Sequence, residues 1–181
     1  MKGYLTTYSG KRFYPANPNM DDCKIEDIAH ALSLITRGNG HIAKFFSVGQ
    51  HCIFCALEAR ERGYSNRIVL ACLLHDASEC YLSDLPSPIK KEMVEYQQIE
   101  NDLLAKIYTK FLGTPLTNQE AACVELIDKD LLKYDLYYLL NTGFKDMLPP
   151  LKISIDYTFH GFENIEETYL KLFYELSESI K

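Results

Sequence analysis

From Ile68 to Leu74 every residue is apolar, and the run leads without a break into His75-Asp76-Ala-Ser-Glu79. A helix of this composition is buried, and an imidazole beside a carboxylate is costly there unless both find partners. A divalent cation satisfies the two at once. A His-Asp doublet alone is a weak signal, so its surroundings decide what it means.

Read as helix, the segment makes Asp76 and Glu79 an i, i+3 pair and His75 and Glu79 an i, i+4 pair, which groups ligand-type and acid/base-type side chains on one surface. Upstream, Phe45-Phe-Ser-Val-Gly-Gln-His51 opens another amphipathic helix, with Ser47 as its N-cap and His51 as a third ligand. Downstream, Asp128 falls among Leu126, Ile127, Leu131 and Leu132 and completes a four-ligand set, with nearby Asp130 as the competing choice.

The rest of the chain reads as helix broken by Gly and Pro. Helical patterns run over 25–36, 47–62, 66–82, 91–112, 117–141 and 164–180. Leu5–Tyr8 and Lys11–Tyr14 flank Ser9-Gly10 as a short hairpin, and the segment from Gly143 to His160 is loose, with an extended stretch at 152–156 and room for a lid. The expected fold is therefore all-α with a small N-terminal β-hairpin. A length of 181 residues at 47% hydrophobic suits one domain, 1–181.

A net charge of −6 argues against an extended nucleic-acid footprint but leaves room for a small anion held by local cations. No apolar stretch reaches a membrane span, and Met1–Tyr8 lacks the apolar core of a secretory leader, so a cytoplasmic protein is expected. The six cysteines show one close pair, Cys52-Ile-Phe-Cys55. Such a pair can bind metal or do redox chemistry, but inside a helix and without a second pair it reads as core packing. Tyr134, Tyr137 and Tyr138 read as core or subunit interface rather than as a base-stacking surface.

A His, then a His-Asp doublet, then a distant Asp resembles the ligand pattern of the HD-domain metal-dependent phosphohydrolases, through His51, His75, Asp76 and Asp128. The stretch from His75 through Asp84-Leu-Pro-Ser-Pro-Ile-Lys90 is similar to the 5'-deoxynucleotidase branch. Tyr8-Ser-Gly-Lys-Arg-Phe-Tyr-Pro, Ile25-Glu-Asp-Ile-Ala-His30 and Arg37-Gly-Asn-Gly-His41 are similar to small phage and bacterial members, including phage dATP triphosphohydrolase. The resemblance covers roughly residues 4–140 and implies an HD-domain helical bundle.

The same resemblance implies that His51, His75, Asp76 and Asp128 hold one divalent transition metal (zinc, manganese, cobalt or iron), with additional magnesium arriving on the substrate phosphates. Glu79 manages the proton of the attacking water, and Asp84 is an assisting acid or a substrate contact. Arg37 binds phosphate, where a planar guanidinium suits two oxygens at once. His41 and Lys90 are further substrate contacts. Arg37 has a plainer alternative, meeting the last carbonyls of the helix that ends near Thr36.

The implied reaction is hydrolysis of a (deoxy)nucleotide phosphate by water, with no covalent nucleophile. The N-terminal similarity favours dNTP cleavage to nucleoside and triphosphate, and 5'-deoxynucleotidase action on dNMPs is the alternative. A triphosphate pocket would recruit further cations, for which Lys11, Arg12, Lys44, Lys90 and Lys91 are candidates. From another class, a regulatory module that binds a nucleotide without turnover would have lost a ligand or the acid/base residue. A homo-oligomer with a small-molecule nucleotide as its partner is the expected state.

Overall fold

The computed structural model describes residues 3–180; Met1 and Lys2, part of the stretch read for a leader, and the last residue of the expected domain lie outside the described residues. The chain is mostly helical with one two-stranded antiparallel sheet. Strands β1 (Leu5–Thr6) and β2 (Arg12–Phe13) pair Leu5 opposite Phe13. The helices are α1 (Ile25–Leu34), α2 (Val48–Glu61), α3 (Asn66–Leu74), α4 (Glu79–Leu82), α5 (Ser87–Lys90), α6 (Val94–Leu112), α7 (Asn118–Leu140) and α8 (Phe162–Ser179). No helix among the described residues is long and apolar enough to cross a membrane.

Helix α3 lies at the centre, packed by α2, α6, α7 and α8. Val69 through Leu74 are fully buried, as their unbroken apolarity requires. Helix α1 packs on α8 and α2. Gly49 lets α2 approach closely, since a Cβ there would stand 3.1 Å from the Leu32 carbonyl oxygen and 3.3 Å from Ile165. The hairpin is fastened to α1 by Ser9, whose backbone N–H and hydroxyl donate to the Asp27 carboxylate at 2.6 and 2.8 Å.

Several helix boundaries differ from the sequence reading, for local reasons. The helix expected over 66–82 breaks at residues 75–78 into a tight turn with i+3 bonds from Ala77 to Leu74 and from Glu79 to Asp76. Two carbonyls of the last α3 turn are taken by side chains: His75 Nδ1 lies 2.7 Å from Cys72 O, and Tyr169 donates to Leu73 O at 2.7 Å. They are lost to the regular ladder, so the doublet sits at the end of α3 rather than within it. The helix expected over 91–112 begins later, as α6 at Val94, after the separate one-turn α5, and the Gln97 amide donates to Lys90 O at 2.9 Å across the gap between them.

The segment 152–156 forms no strand. It is strapped down instead: the buried Glu58 carboxylate accepts the backbone N–H groups of Lys152 and Ile153 at 2.9–3.1 Å, and Tyr134 donates to Pro149 O at 2.7 Å. Leu126, expected among buried neighbours of Asp128, is half exposed at 50%.

Candidate metal centre

Three helices and one turn converge on the site. Ser47 caps α2 as expected, its hydroxyl accepting the Gln50 N–H at 3.1 Å while the Gln50 side chain accepts the Ser47 N–H at 3.0 Å. His51 therefore stands in the first turn of a firmly started helix, with its side chain wholly buried. Its Nδ1–H donates to Asp135 Oδ2 at 2.9 Å, leaving Nε2 turned toward Asp128 Oδ1 at 3.0 Å. Asp135 is held in turn by Tyr157, which donates to Oδ1 at 3.0 Å. A carboxylate that fixes the tautomer and orientation of a ring is the usual support for a metal-ligating histidine.

His75 is oriented differently. Its Nδ1 is engaged by Cys72 O, so Nε2 points into the same cluster. That nitrogen is buried and stands 3.2 Å from Asp76 Oδ2 and 3.5 Å from Asp128 Oδ1, yet it makes no hydrogen bond among the described residues. Ring nitrogens and carboxylate oxygens gathered at such spacings, with one nitrogen left orphaned, are a donor set that fits a divalent cation.

Two overlapping groups of donor atoms lie mutually within 4.8 Å: His51, Cys55, His75 and Asp128, and Cys52, His75 and Asp76. The structure thus brings together all four residues expected as ligands, with Asp76 joined through His75 rather than grouped with His51. Asp130 points elsewhere, pairing with Arg62 at 3.0 Å. Both cysteines are buried as packing requires, but they also border the ligands, which the sequence reading missed.

The charges in the cluster are strongly coupled. Burial and Arg37 oppose the charged ring of His51, but Cys55, Asp135 and Asp128 outweigh them and raise its pKa well above the ordinary value. His75 is raised likewise, against burial, by Asp76, by Cys52 and Cys55, and by Asp128. Despite burial, Asp76 is held down at about 2 by His75 and Arg37, and Asp128 lies far below the usual range through its contacts with both rings. The carboxylates thus favour positive charge at the two rings, and a bound cation would meet the same demand.

Above the cluster opens a cavity of about 400 Å³, within the roughly 300–1,000 Å³ of small-ligand sites. Its polar side carries Arg37, Asp76, Glu79, Asp84, Lys90 and Asp128, and its apolar side Ile42, Leu132, Leu136, Leu139 and Leu140. Arg37 reaches Asp76 and Asp135 only at 3.4 Å each, so its guanidinium lines the cavity and does not cap α1. Glu79 is buried, with Oε2 unpartnered and Oε1 3.5 Å from Lys90. Burial, reinforced by Asp76 and Asp84, pushes its carboxyl well above the ordinary range. Asp84 is raised by burial and by Asp76.

Lys90 is engaged by Glu100 at 2.8 Å. His41 is exposed and lies outside the cavity lining: positive φ at Gly38, Asn39 and Gly40 turns the chain so that Arg37 faces inward and His41 faces solvent. Lys11, Arg12, Lys44 and Lys91 are also exposed and outside the lining. Asp135 and Tyr157 were not singled out as site residues in the sequence. Asp135 sits seven positions after Asp128 on α7, a spacing that returns to the same helix face, and this was the available signal. Tyr157 had none, because it arrives from an irregular segment.

No protein-family model matches the chain. Uncharacterized protein YfdR of Escherichia coli is 36% identical over 125 residues, covering 68% of this chain and 67% of YfdR. Uncharacterized protein RCAP_rcc00048 of Rhodobacter capsulatus is 37% identical over 112 residues, covering 59% of this chain and 57% of that protein. With more than a third of positions identical over two thirds of both lengths, the chain belongs to the family of E. coli YfdR.

Proposed function

We propose that the protein is an HD-type metal-dependent phosphohydrolase acting on deoxynucleotides. One observation carries this reading: two buried polar atoms that make no hydrogen bond among the described residues, His75 Nε2 and Glu79 Oε2, belong to a single site under a guanidinium-lined cavity. A divalent ion, when bound by His51, His75, Asp76 and Asp128, supplies Lewis acidity and an activated water.

The chain's own residues supply the rest. Arg37 retains free donors for phosphate oxygens, because its two carboxylate contacts are long. Glu79, with a raised pKa and a free oxygen, can take a proton from the attacking water and return one to the leaving oxygen. Asp84 lines the same wall, which supports an assisting role. The leucines of α7 offer an apolar surface for the nucleoside, and among the described residues no aromatic ring lines the cavity to stack a base.

The N-terminal similarity favours dNTP cleavage with release of triphosphate. The cations favour a second reading. Among the described residues, Arg37 and Lys90 are the cations that line the cavity, and Lys90 is already paired with Glu100, a supply better matched to one phosphate than to three. Chromatographic product analysis with dNMPs and dNTPs, using manganese, cobalt or zinc and Asp76→Ala as the blank, separates them. Nucleoside plus triphosphate establishes the first reading and nucleoside plus phosphate the second. Absence of turnover with every metal and nucleotide tried overturns both.

A further inference from the structure

The geometry points to Cys55 as a sulfur ligand of the same centre, making it a site for a thiophilic ion of the zinc class rather than for magnesium or manganese. This rests on the metal-binding part of the reading above and is independent of the substrate.

Cys55 lies one turn after His51 on α2, so the two side chains share a face. Its Sγ is 3.4 Å from His51 Nε2, the nitrogen turned toward Asp128. A nitrogen and a sulfur bound to one tetrahedral zinc stand about 3.5 Å apart, given bond lengths of roughly 2.0–2.1 and 2.3 Å. A thiol that served only as a small hydrophobe would sit among aliphatic groups. Here the donor atoms of Cys55, His51, His75 and Asp128 all lie within 4.8 Å of one another.

A second observation marks this place as a ligand position. His75 Nε2, on a side chain only 8% exposed, has no hydrogen-bond partner and belongs to the same group. Cys55 is 1% exposed and does not line the cavity, whereas Asp76 and Asp128 do. The sulfur, coordinating as thiolate, would close the inner side of the ion and leave the cavity side to substrate. A thiolate beside the two imidazoles and the Asp128 carboxylate of that group shifts preference toward softer metals.

X-ray absorption at the zinc edge tests this on the full chain, stripped of metal and reloaded with one equivalent of zinc. The expected spectrum contains one sulfur neighbour at about 2.3 Å beside nitrogen and oxygen. That neighbour should vanish in Cys55→Ser and persist in Cys52→Ser. A purely nitrogen and oxygen shell in the unmodified protein overturns the proposal and leaves the metal reading intact, whether or not the variants fold. Loss of sulfur only in Cys52→Ser overturns it in favour of the other cysteine. Failure of the unmodified protein to bind zinc removes the metal reading itself.

Discussion

Glu58 and Glu79 are both buried carboxylates on helices that surround the same core, and their surroundings are opposite. Glu58 accepts from Arg62 Nε at 2.7 Å and from two backbone N–H groups, so both its oxygens are satisfied. Glu79 has one oxygen at the long distance of 3.5 Å from Lys90 and the other with no partner. A buried charge with every lone pair met fastens structure, here the strap from 149 to 157 onto α2. A buried carboxyl left short of partners beside a cavity is poised for a ligand or a proton. The two histidines repeat the lesson: each has one nitrogen locked by the protein and the other presented to the cluster.

Substitutions that treat the two glutamates alike should therefore have unlike results. Glu79→Gln should lower kcat by roughly 10²–10⁴, the usual worth of a positioned acid/base, with thermal stability nearly unchanged. Unchanged kcat would place Glu79 with Glu58 among structural groups. Glu58→Ala should do the reverse. Removing Glu58 leaves two backbone donors without their acceptor and takes from Arg62 one of its two carboxylates, Asp130 remaining, at about 1–3 kcal/mol per stranded donor in denaturant unfolding, while the folded fraction keeps its turnover.

The support beneath His51 comes next. Asp135→Asn keeps the size of the side chain but weakens the hold on Nδ1–H, and zinc affinity should fall about 10–100-fold by calorimetric titration. Equal affinity would remove Asp135 from the site. The smallest effect belongs to Glu120, an outer carboxylate satisfied like Glu58. Its pKa is lowered first by the Thr117 backbone N–H and then by Arg67. A lowered folded pKa contributes stability that is present above the unfolded value, about 4.3, and lost as pH falls through the folded one. The stability gap between the unmodified protein and Glu120→Gln should thus be present near neutrality and close in acid; a pH-independent gap would contradict this.

The helices and the hairpin were legible because hydrophobic period and Gly or Pro punctuation are local signals. His51 and the doublet stood out as polar groups in apolar surroundings. What escaped depends on partners remote in sequence or on side chains competing for backbone carbonyls. Tyr169, on α8, helps end α3, which no window around residue 75 contains. Asp135 meets His51 across 84 residues. The strap reads as loose because its anchor, Glu58, lies 94 residues away. Cys55 looked like packing because burial and ligation use the same residue in the same place.

The central claim is that His51, His75, Asp76 and Asp128 form one metal centre, and metal stoichiometry tests it most directly. Zinc titrated into the metal-stripped chain should bind at one ion per chain, and Asp128→Ala, folded by circular dichroism, should lose tight binding. A chain that takes up no zinc, or an Asp128→Ala variant that binds it as tightly as the unmodified protein, would contradict the account.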